Sequence, residues 1–340
     1  MSIRSMVVLW CSLIIVAWVQ SAESWATEVN VYSARQEELI KPVLDRFSEQ
    51  TGIRVNLITG NADELITRIA SEGRNSPADL LITTDVGRLY RAKQQQLLQP
   101  LQSDFLNAQI PTHLRDEAGY WFGLTVRARP ILYAVDRVDP TKLASLQDLT
   151  AAEWRGRICV RSSSHIYNQS LVASRLAHDG TEATEQWVRG VVANFARPPR
   201  GGDRDQIRAL AAGVCDIAIA NTYYLAGMMN DPRDQAAASQ IKVLWPDQDS
   251  AGAHINISGA GLSAHAPNPQ AGRQLLEFML QAEAQQWYAE ANHEYPVRTD
   301  VAYSETLQQF GSFKADTLPL ERLGELNADA LRLMDRARWR

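Results

Sequence analysis

The stretch Asp79-Leu80-Leu81-Ile82-Thr83 decides the fold class of this 340-residue chain. Its three apolar residues follow one another, without the alternation of a strand that has one face in water. Contiguous apolar residues over this length are typical of a strand in a parallel sheet that helices cover on both faces. We therefore expect an α/β fold.

Two strand–helix units precede this stretch. Residues 29–32 and 53–58 are predicted strands, and apolar residues at helical spacing follow each of them. Pro42 predicts a kink or a late start for the first helix, and Gly73 predicts the end of the second. The order strand, helix, strand, helix, strand indicates an α/β domain.

The second half of the chain repeats this pattern in kind but not in sequence. The predicted strands are 131–135, 157–161, 214–220 and 241–245, and the predicted helices are 168–177, 183–195 and 203–212. Residues 254–261 are expected to form a strand that returns between two domains, and 268–288 one long amphipathic helix. We expect two mainly parallel sheets.

Tyrosines follow the predicted strands. Tyr223 and Tyr224 come shortly after the run 214–220, Tyr32 lies at the end of the predicted strand 29–32, and Tyr167 follows the predicted strand 157–161. Ligands of such sheets bind beyond the carboxyl ends of the strands. Iron(III) accepts phenolate ligands, and a bound cation keeps the proton off the phenol. A packed aromatic pair is the alternative, but the placement of the tyrosines favours a binding site.

The N-terminus has the features of an export signal. Arg4 provides a positive charge, residues 6–19 are apolar, and Ser24-Trp25-Ala26 offers small residues for signal peptidase. We predict that residues 1–26 are a signal peptide cleaved near Ala26 and that the mature chain is periplasmic. The net charge of −5 and the scattered Lys and Arg give no indication of binding to nucleic acid.

After the predicted signal, the chain keeps two cysteines, Cys159 and Cys215. In an oxidising compartment they could form a disulfide if their strands are neighbours, and otherwise they would be buried free thiols. Their spacing, without flanking histidines, is not that of a zinc site. The sequence leaves the pairing open.

Four stretches belong together. They are Val31-Tyr32-Ser33-Ala34-Arg35-Gln36-Glu37, Gly123-Leu124-Thr125-Val126-Arg127-Ala128-Arg129, Arg161-Ser162-Ser163-Ser164-His165-Ile166-Tyr167-Asn168-Gln169-Ser170 and Asn221-Thr222-Tyr223-Tyr224. With these four stretches in this order, the chain resembles the periplasmic ferric-iron-binding proteins that feed ABC importers. The resemblance extends to Thr84-Asp85-Val86-Gly87-Arg88-Leu89 and Glu294-Tyr295-Pro296-Val297.

The resemblance implies a two-lobed periplasmic-binding-protein fold of type II, with an interdomain cleft and a hinge. One lobe would combine residues 27–124 with 255–300, and the other 125–254 with 301–340. The implied function is transport rather than catalysis. A monomer would carry iron(III) to an ABC importer permease and its ATPase.

The resemblance also implies roles for single residues. Tyr167, Tyr223 and Tyr224 match tyrosinate ligands of the metal, and Arg127 matches an arginine that holds carbonate or a similar synergistic anion. A guanidinium can form two parallel hydrogen bonds to a planar oxyanion. Arg129 is the nearby competitor for this role, and its alternative is a structural ion pair.

One position departs from the family pattern. Many members carry a His-Tyr ligand pair where this chain has Gln36 and Glu37. Glu37 could ligate the metal or simply suit the first turn of a helix. Tyr32 could hydrogen-bond in the cleft or pack in the core. Tyr32, Gln36 and Glu37 are therefore candidates for cleft contacts, and the three tyrosines Tyr167, Tyr223 and Tyr224 are the expected metal ligands.

Two other functions remain open at the level of sequence. A related two-lobed protein could bind a polyamine, thiamine or an oxyanion instead of iron. An enzyme on the same scaffold would need a nucleophile–base pair, and adjacency of Ser162, Ser163 and Ser164 to His165 does not produce triad geometry.

Overall fold

The structure, a computed structural model, describes residues 28–340, so the predicted signal peptide lies outside the described residues. The strands are β1 (Glu28–Ser33), β2 (Arg54–Thr59), β3 (Leu80–Thr84), β4 (Leu98–Gln99), β5 (Phe122–Ala128), β6 (Ile131–Ala134), β7 (Ile158–Cys159), β8 (Ile217–Ile219), β9 (Ile241–Leu244), β10 (Ile255–Ser263) and β11 (Tyr295–Pro296).

The α-helices are α1 (Lys41–Thr51), α2 (Ala62–Glu72), α3 (Val86–Gln94), α4 (Asp104–Gln109), α5 (Ile166–Ala193), α6 (Asp203–Ala211), α7 (Thr222–Met229), α8 (Gln235–Ala238), α9 (Pro269–Met279), α10 (Ala282–Ala291), α11 (Glu305–Gln308), α12 (Glu321–Glu325) and α13 (Asn327–Arg336). In the described part of the chain, no helix combines the length and apolar character needed to cross a membrane.

The strands form two sheets. The first sheet has seven strands in the order β11-β5-β10-β3-β1-β2, with β4 paired to β10, and the second has four in the order β7-β8-β6-β9. Helices pack around both sheets, so the expected α/β two-sheet fold is confirmed.

The expected strand direction is wrong. Six of the nine strand pairings within residues 28–340 are antiparallel, and only β1–β2, β1–β3 and β7–β8 are parallel. Three of the six involve β10, which is buried along its whole length and runs antiparallel to β3, β4 and β5. In the second sheet, β6 runs antiparallel to both β8 and β9. An apolar run in the sequence predicts that a strand is buried on both faces, but it does not predict whether the neighbouring strand is parallel or antiparallel.

Two helix predictions meet different outcomes. Helix α1 begins late, with Pro42 in its first turn, as expected. The predicted long helix 268–288 is wrong, because the chain breaks into α9 and α10 at the extended residue Gln281. The buried amide of Gln285 explains the break, since its Nε2 donates to the carbonyl oxygens of Met279 (2.9 Å) and Leu124 (2.8 Å). This side chain satisfies a carbonyl at the end of α9.

A disulfide joins Cys159 to Cys215, with 5.9 Å between their Cα atoms. Cys159 ends β7, and Cys215 lies two residues before β8, which is the parallel neighbour of β7. The strands are therefore adjacent, and the disulfide is the alternative that the structure contains.

The chain passes between the sheets at neighbouring points. It leaves the first sheet after β5 and returns to it at β10, and the amide of Arg129 donates to the carbonyl of His254 at 3.0 Å. A third segment joins them, because the amide of Ala253 donates to Lys314 and the amide of Asp316 donates to Ala253, each at 2.9 Å. The expected lobe boundary at 124/125 falls inside β5.

Candidate functional site

A cavity of about 340 Å³ lies between elements of the two sheets. Its walls are formed by Ala34, Arg35, Gln36, Leu39, Thr84, Arg127, Tyr167, Arg204, Tyr223, Tyr224, Gly227, Ala291, Asn292, His293 and Glu294. The four residues that the sequence singled out, Arg127 and the three tyrosines, are all among them.

The tyrosine pair occupies the first turn of α7. Strand β8 ends just before Asn221, which is extended and leads into the helix at Thr222. Arg129 fixes this entry, because its Nη1 donates to Oδ1 of Asn221 at 2.9 Å. The ring centroids of Tyr223 and Tyr224 are 4.2 Å apart. The short β8–α7 connection thus presents two phenols at one point.

Tyr167 reaches the same cavity from α5. It is the second residue of this helix, and the ring of His165 caps the helix by accepting from the amide of Tyr167 at 3.4 Å. Its hydroxyl donates to Oγ1 of Thr84 at 3.4 Å. Because Thr84 ends β3, this contact joins an element of the second sheet to the first sheet.

Arg127 lies at the centre of the site. It projects from β5 and is only 4 % exposed. Its Cζ lies 4.8 Å from the ring centroid of Tyr167 and 4.5 Å from that of Tyr223, and its Nη2 donates to the hydroxyl of Tyr223. Its Nε lies 3.3 Å from Oε1 of Glu294.

The phenols and the guanidinium perturb one another. Burial opposes the charge on Arg127, but Tyr167, Tyr223 and Glu294 outweigh it and raise the pKa of Arg127 well above its usual value. Burial likewise raises the pKa of Tyr167, yet the charge of Arg127 prevails and the net pKa is lowered. Burial dominates for the pair: it raises the pKa of Tyr223 well above normal and that of Tyr224 to about 12. The pair therefore needs a bound cation to lose its protons near neutral pH.

Arg129 has a different task. Its Nη1 pairs with Asp203 at 3.0 Å, and its Nη2 donates to Oδ1 of Asn168 at 2.6 Å. With the bond to Asn221, these contacts hold the beginnings of α5, α6 and α7 together. Arg129 thus forms the structural ion pair that the sequence analysis gave as the alternative to anion binding. It supports the helices that carry the tyrosines.

Two cavity residues, Arg35 and Glu294, were not recognised as site residues from the sequence. Nη1 of Arg35 donates to Oε2 of Glu294 at 2.9 Å and to Oγ of Ser258 at 2.7 Å. Burial would raise the pKa of Glu294, but Arg35 and Arg127 lower it below its usual value. Both residues lie in the stretches 31–37 and 294–297 that carry the family resemblance, but no sequence signal pairs two residues 259 positions apart.

Of the other candidate cleft contacts, only Gln36 lines the cavity. Gln36 lines the cavity, whereas Glu37 is exposed, begins the 3-10 helix Glu37–Leu39 and is not among the lining residues. Tyr32 as a cleft contact is wrong. Strand β1 continues to Ser33, so Tyr32 lies inside the strand, fully buried, and donates to Glu72 at 2.9 Å.

Ordinary metal-binding clusters do not account for a cation here. Within residues 28–340, no group of three or more His, Cys, Asp or Glu side chains is arranged to hold a metal ion. Within the cavity, the phenols are the donors that a hard cation could use, since the one lining carboxylate, that of Glu294, already pairs with Arg35 and Arg127.

Comparison with known proteins gives a consistent result. Residues 43–315 match the family described as "Bacterial extracellular solute-binding protein". The chain is 44 % identical to "Iron uptake protein A1" of Synechocystis sp. over 315 residues, which cover 92 % of this chain and 88 % of that protein. It is 27 % identical to the "Fe(3+)-binding periplasmic protein" of Serratia marcescens over 328 residues, covering 96 % and 93 % of the two chains.

A solved structure shares the whole architecture. It is the Trichodesmium protein IdiA (FutA) in complex with iron and citrate ligands, with a TM-score of 0.90 and 46 % identity, and the match covers 92 % of this chain and all of that chain (100 %). Together with the family match over residues 43–315, this similarity fixes the class of the protein. The chain belongs to the bacterial extracellular solute-binding protein family and is a binding protein rather than an enzyme.

Proposed function

We propose that the protein captures iron(III) in the cavity between its two sheets and delivers it to an ABC importer permease and its ATPase. The observation that carries this proposal is the convergence of Tyr167, Tyr223 and Tyr224 on one cavity beside the buried Arg127. Two relatives named for iron and a homologous structure that holds iron support the same cargo.

The proposed ligands are the phenolates of Tyr167, Tyr223 and Tyr224. Three phenolates carry three negative charges, which offset the charge of iron(III). An all-oxygen anionic site favours a hard cation and disfavours soft metals. The raised pKa values of Tyr223 and Tyr224 mean that the cation itself must displace their protons.

Arg127 would hold a synergistic anion against the iron. A guanidinium binds carbonate or a carboxylate with two parallel hydrogen bonds, and such an anion would fill the coordination positions that the phenolates leave. The citrate in the Trichodesmium structure belongs to that protein, and it makes citrate a second anion to test here.

The proposed lobes follow the sheets. One lobe comprises 27–124 with 255–300, and the other 125–254 with 301–340, except that residues 125–128 of β5 lie in the first sheet. Closure about the crossing segments would enclose the cargo by hinge motion. A signal peptide at residues 1–26 would place the mature, monomeric protein in the periplasm.

An oxyanion without iron is the second candidate cargo. Arg35, Arg127 and Arg204 line the cavity with one carboxylate, that of Glu294, so the charge of its walls favours an anion. The same charges argue against a polyamine, which needs several facing carboxylates.

A titration of the iron-free protein decides between these cargoes. Iron(III) would be added on a weak chelator, with and without bicarbonate, while the visible spectrum is recorded. A tyrosinate-to-iron charge-transfer band that needs bicarbonate supports phenolate ligands and a synergistic anion. A band that develops without bicarbonate supports iron as the cargo but rejects the synergistic anion. The absence of any band rejects iron in favour of an oxyanion as the cargo.

A further inference from the structure

We propose that Asp85 is a positioning residue of the site, which acts through Ser170 on the helix turn that carries Tyr167. Asp85 follows β3 of the first sheet, whereas Ser170 and Tyr167 lie on α5, which follows β7 of the second sheet. The alignment of one proposed ligand therefore depends on the opposite lobe. This role rests on the proposed function for Tyr167 as an iron ligand, but the surroundings of Tyr167 can be measured without iron.

Asp85 has a backbone conformation that L-amino acids rarely adopt. Its φ is 77° and its ψ is 124°. Its amide still donates to the carbonyl of Ile257, on β10, at 2.8 Å, although α3 begins at the next residue, Val86. The chain therefore turns from strand to helix within one residue. Strained residues of this kind persist where their surroundings hold them, and they cluster at functional sites.

The carboxylate of Asp85 is buried and accepts hydrogen bonds from three elements. Its Oδ1 accepts from the amide of Gly87 at 2.9 Å and caps α3, and its Oδ2 accepts from Nδ2 of Asn256, on β10, at 2.8 Å. The hydroxyl of Ser170 donates from α5 and lies 2.8 Å from Oδ1 and 2.9 Å from Oδ2. A helix cap needs the contact with Gly87 alone. The contact with Ser170 in addition ties α5 to the first sheet.

Ser170 and Tyr167 lie on the same face of α5. They are three residues apart, and residues at this spacing are neighbours on a helix. The hydroxyl of Tyr167 donates to Oγ1 of Thr84, the last residue of β3, at 3.4 Å. The hydroxyl of Ser170, which is fully buried, reaches the next residue of the chain, Asp85. A shift of α5 at Ser170 therefore also moves the ring of Tyr167.

The packing at Gly87 shows how closely α3 and α5 approach each other. A Cβ at this position would lie 3.3 Å from Cδ1 of Ile166, the first residue of α5, and 3.2 Å from Oδ1 of Asp85. Both distances are tighter than ordinary van der Waals contact. The junction of β3 with α3 and the first turns of α5 therefore move as one body while Ser170 keeps its hydrogen bond.

This junction lies beside a crossing between the two sheets. Asn256, which donates to Asp85, is two residues after His254, where the chain returns to the first sheet. A change in the angle between the proposed lobes therefore acts on Asp85 and, through Ser170, on Tyr167. Hinge opening then displaces one proposed ligand and weakens the hold on the cargo.

A helix cap without a role in the site is the alternative. It predicts that loss of the Ser170 hydroxyl lowers the stability of the protein and leaves Tyr167 as it is. The positioning role predicts that the same change alters the surroundings of Tyr167 and weakens iron binding. Both explanations predict a loss of stability, so the signal of Tyr167 decides between them.

The test is Ser170→Ala, which removes the hydroxyl and leaves Asp85 and its cap of α3 in place. NMR of the iron-free mature chain with isotope-labelled tyrosine reports the surroundings of each ring, and Tyr167→Phe assigns the signal of Tyr167. This signal should shift in Ser170→Ala. The iron(III) affinity should fall by about tenfold, the factor that a hydrogen bond to a charged group usually contributes. A Tyr167 signal or an iron affinity equal to that of the wild type would overturn the positioning role.

Ser174→Ala is the matched control. Ser174 lies one turn further along α5, is buried, and donates from its hydroxyl to Oδ2 of Asp316 at 3.1 Å. The control therefore removes the same group from the same helix, again from a buried carboxylate, but not from the junction of β3 with α3. It should leave the Tyr167 signal at its wild-type position. Equal shifts in Ser174→Ala and Ser170→Ala would reduce the effect to a loosened α5 and overturn the role of Asp85.

Asp85→Gly tests the same contact from the other side. Glycine adopts a positive φ readily and is tolerated at a helix N-cap, so this variant keeps the turn and loses the carboxylate. It should shift the Tyr167 signal in the same direction as Ser170→Ala. The double variant should shift it no further, because both changes break one contact. Additive shifts would contradict a link through Ser170.

The two proposals fail in different ways. If the Tyr167 signal of the iron-free protein is the same in Ser170→Ala and in the wild type, the positioning role is rejected, whatever the iron titration shows. If the signal shifts as expected but no charge-transfer band develops with iron(III) in the wild type, the iron proposal is rejected and the link between Asp85 and Tyr167 stands.

Discussion

Arg127 and Tyr223 form a direct link between the two walls of the cavity. The guanidinium of Arg127, on β5 of the first sheet, lies 4.5 Å from the ring centroid of Tyr223, on α7, and donates to its hydroxyl. A proton lost from Tyr223 would strengthen this contact, because a charge-assisted hydrogen bond is stronger than a neutral one. Binding of a cation to the phenols and of an anion to Arg127 should therefore reinforce each other.

The tyrosine pair gives the first prediction. Tyr223→Phe and Tyr224→Phe, made separately, each remove one anionic donor and should lower iron(III) affinity by orders of magnitude while folding is kept. The charge-transfer band and a competitive chelator titration measure this loss. Tyr32→Phe is the control, because its hydroxyl contacts Glu72 outside the cavity, and it should leave the band intact. Wild-type binding in both paired variants would remove Tyr223 and Tyr224 from the site.

The role of Arg127 gives the second prediction. Arg127→Ala should weaken iron binding mainly when bicarbonate is present, because the variant cannot hold the anion against the metal. The measurement is the affinity with and without bicarbonate for both proteins. An equal loss under the two conditions would instead point to a structural role in the contacts with Tyr223 and Glu294.

The sequence predicted the residues that lie next to strand ends and missed those whose role depends on distant partners. Tyr223 and Tyr224 could be found because they come soon after β8, and Tyr167 because the predicted strand 157–161 ended nearer to it than β7 does. Glu294 could not be found in this way, because its role depends on contact with Arg35, which is 259 residues away in the chain. The sequence offered both Arg127 and Arg129 as the anion-binding arginine but could not give the physical reason for choosing between them. That reason is the ion pair of Arg129 with Asp203, which lies far away in the sequence on α6.

The errors also have physical causes. Strand direction was misjudged because the apolar run in β3 is buried, as a central parallel strand would be, although its neighbour β10 runs antiparallel to it. The break between α9 and α10 was missed because helical spacing continues across it, and only the buried side chain of Gln285 reveals where the backbone turns away. Tyr32 was misplaced because one more residue, Ser33, belongs to β1.

The exposed position of Glu37 gives the third prediction. Glu37→Gln should change iron affinity only modestly, because Glu37 begins a short 3-10 helix and does not line the cavity. The same spectroscopic titration measures the effect, with Glu38→Gln as a neighbouring exposed control. A collapse of binding in Glu37→Gln alone would make Glu37 a metal ligand that moves into the cavity on closure.

The disulfide gives the fourth prediction. Replacing both Cys159 and Cys215 by Ala should lower the free energy of unfolding by about 4 kcal/mol, the chain-entropy estimate for a loop of this length. Urea unfolding of the variant and of the wild type, with and without reductant, measures this change. Reductant should lower the stability of the wild type and leave that of the variant unchanged, and a reductant effect on the variant would contradict the assignment.

Buried His254 gives the fifth prediction, on the pH dependence of stability. Burial lowers the pKa of His254 to about 4 in the folded protein, with Arg129 and His178 acting in the same direction against Asp316, whereas an unfolded His has a pKa of about 6.5. Between these values the unfolded state binds more protons than the folded state, so stability is greatest above pH 6.5 and falls as the pH is lowered.

His254→Gln should flatten this fall by up to about 1.4 kcal/mol per pH unit, the linkage value for one proton. Urea unfolding between pH 6.5 and 5, where few carboxylates titrate, measures the slope, and exposed His265→Gln is the matched control. A slope that is the same in His254→Gln and in the wild type would show that this histidine is not held neutral in the fold.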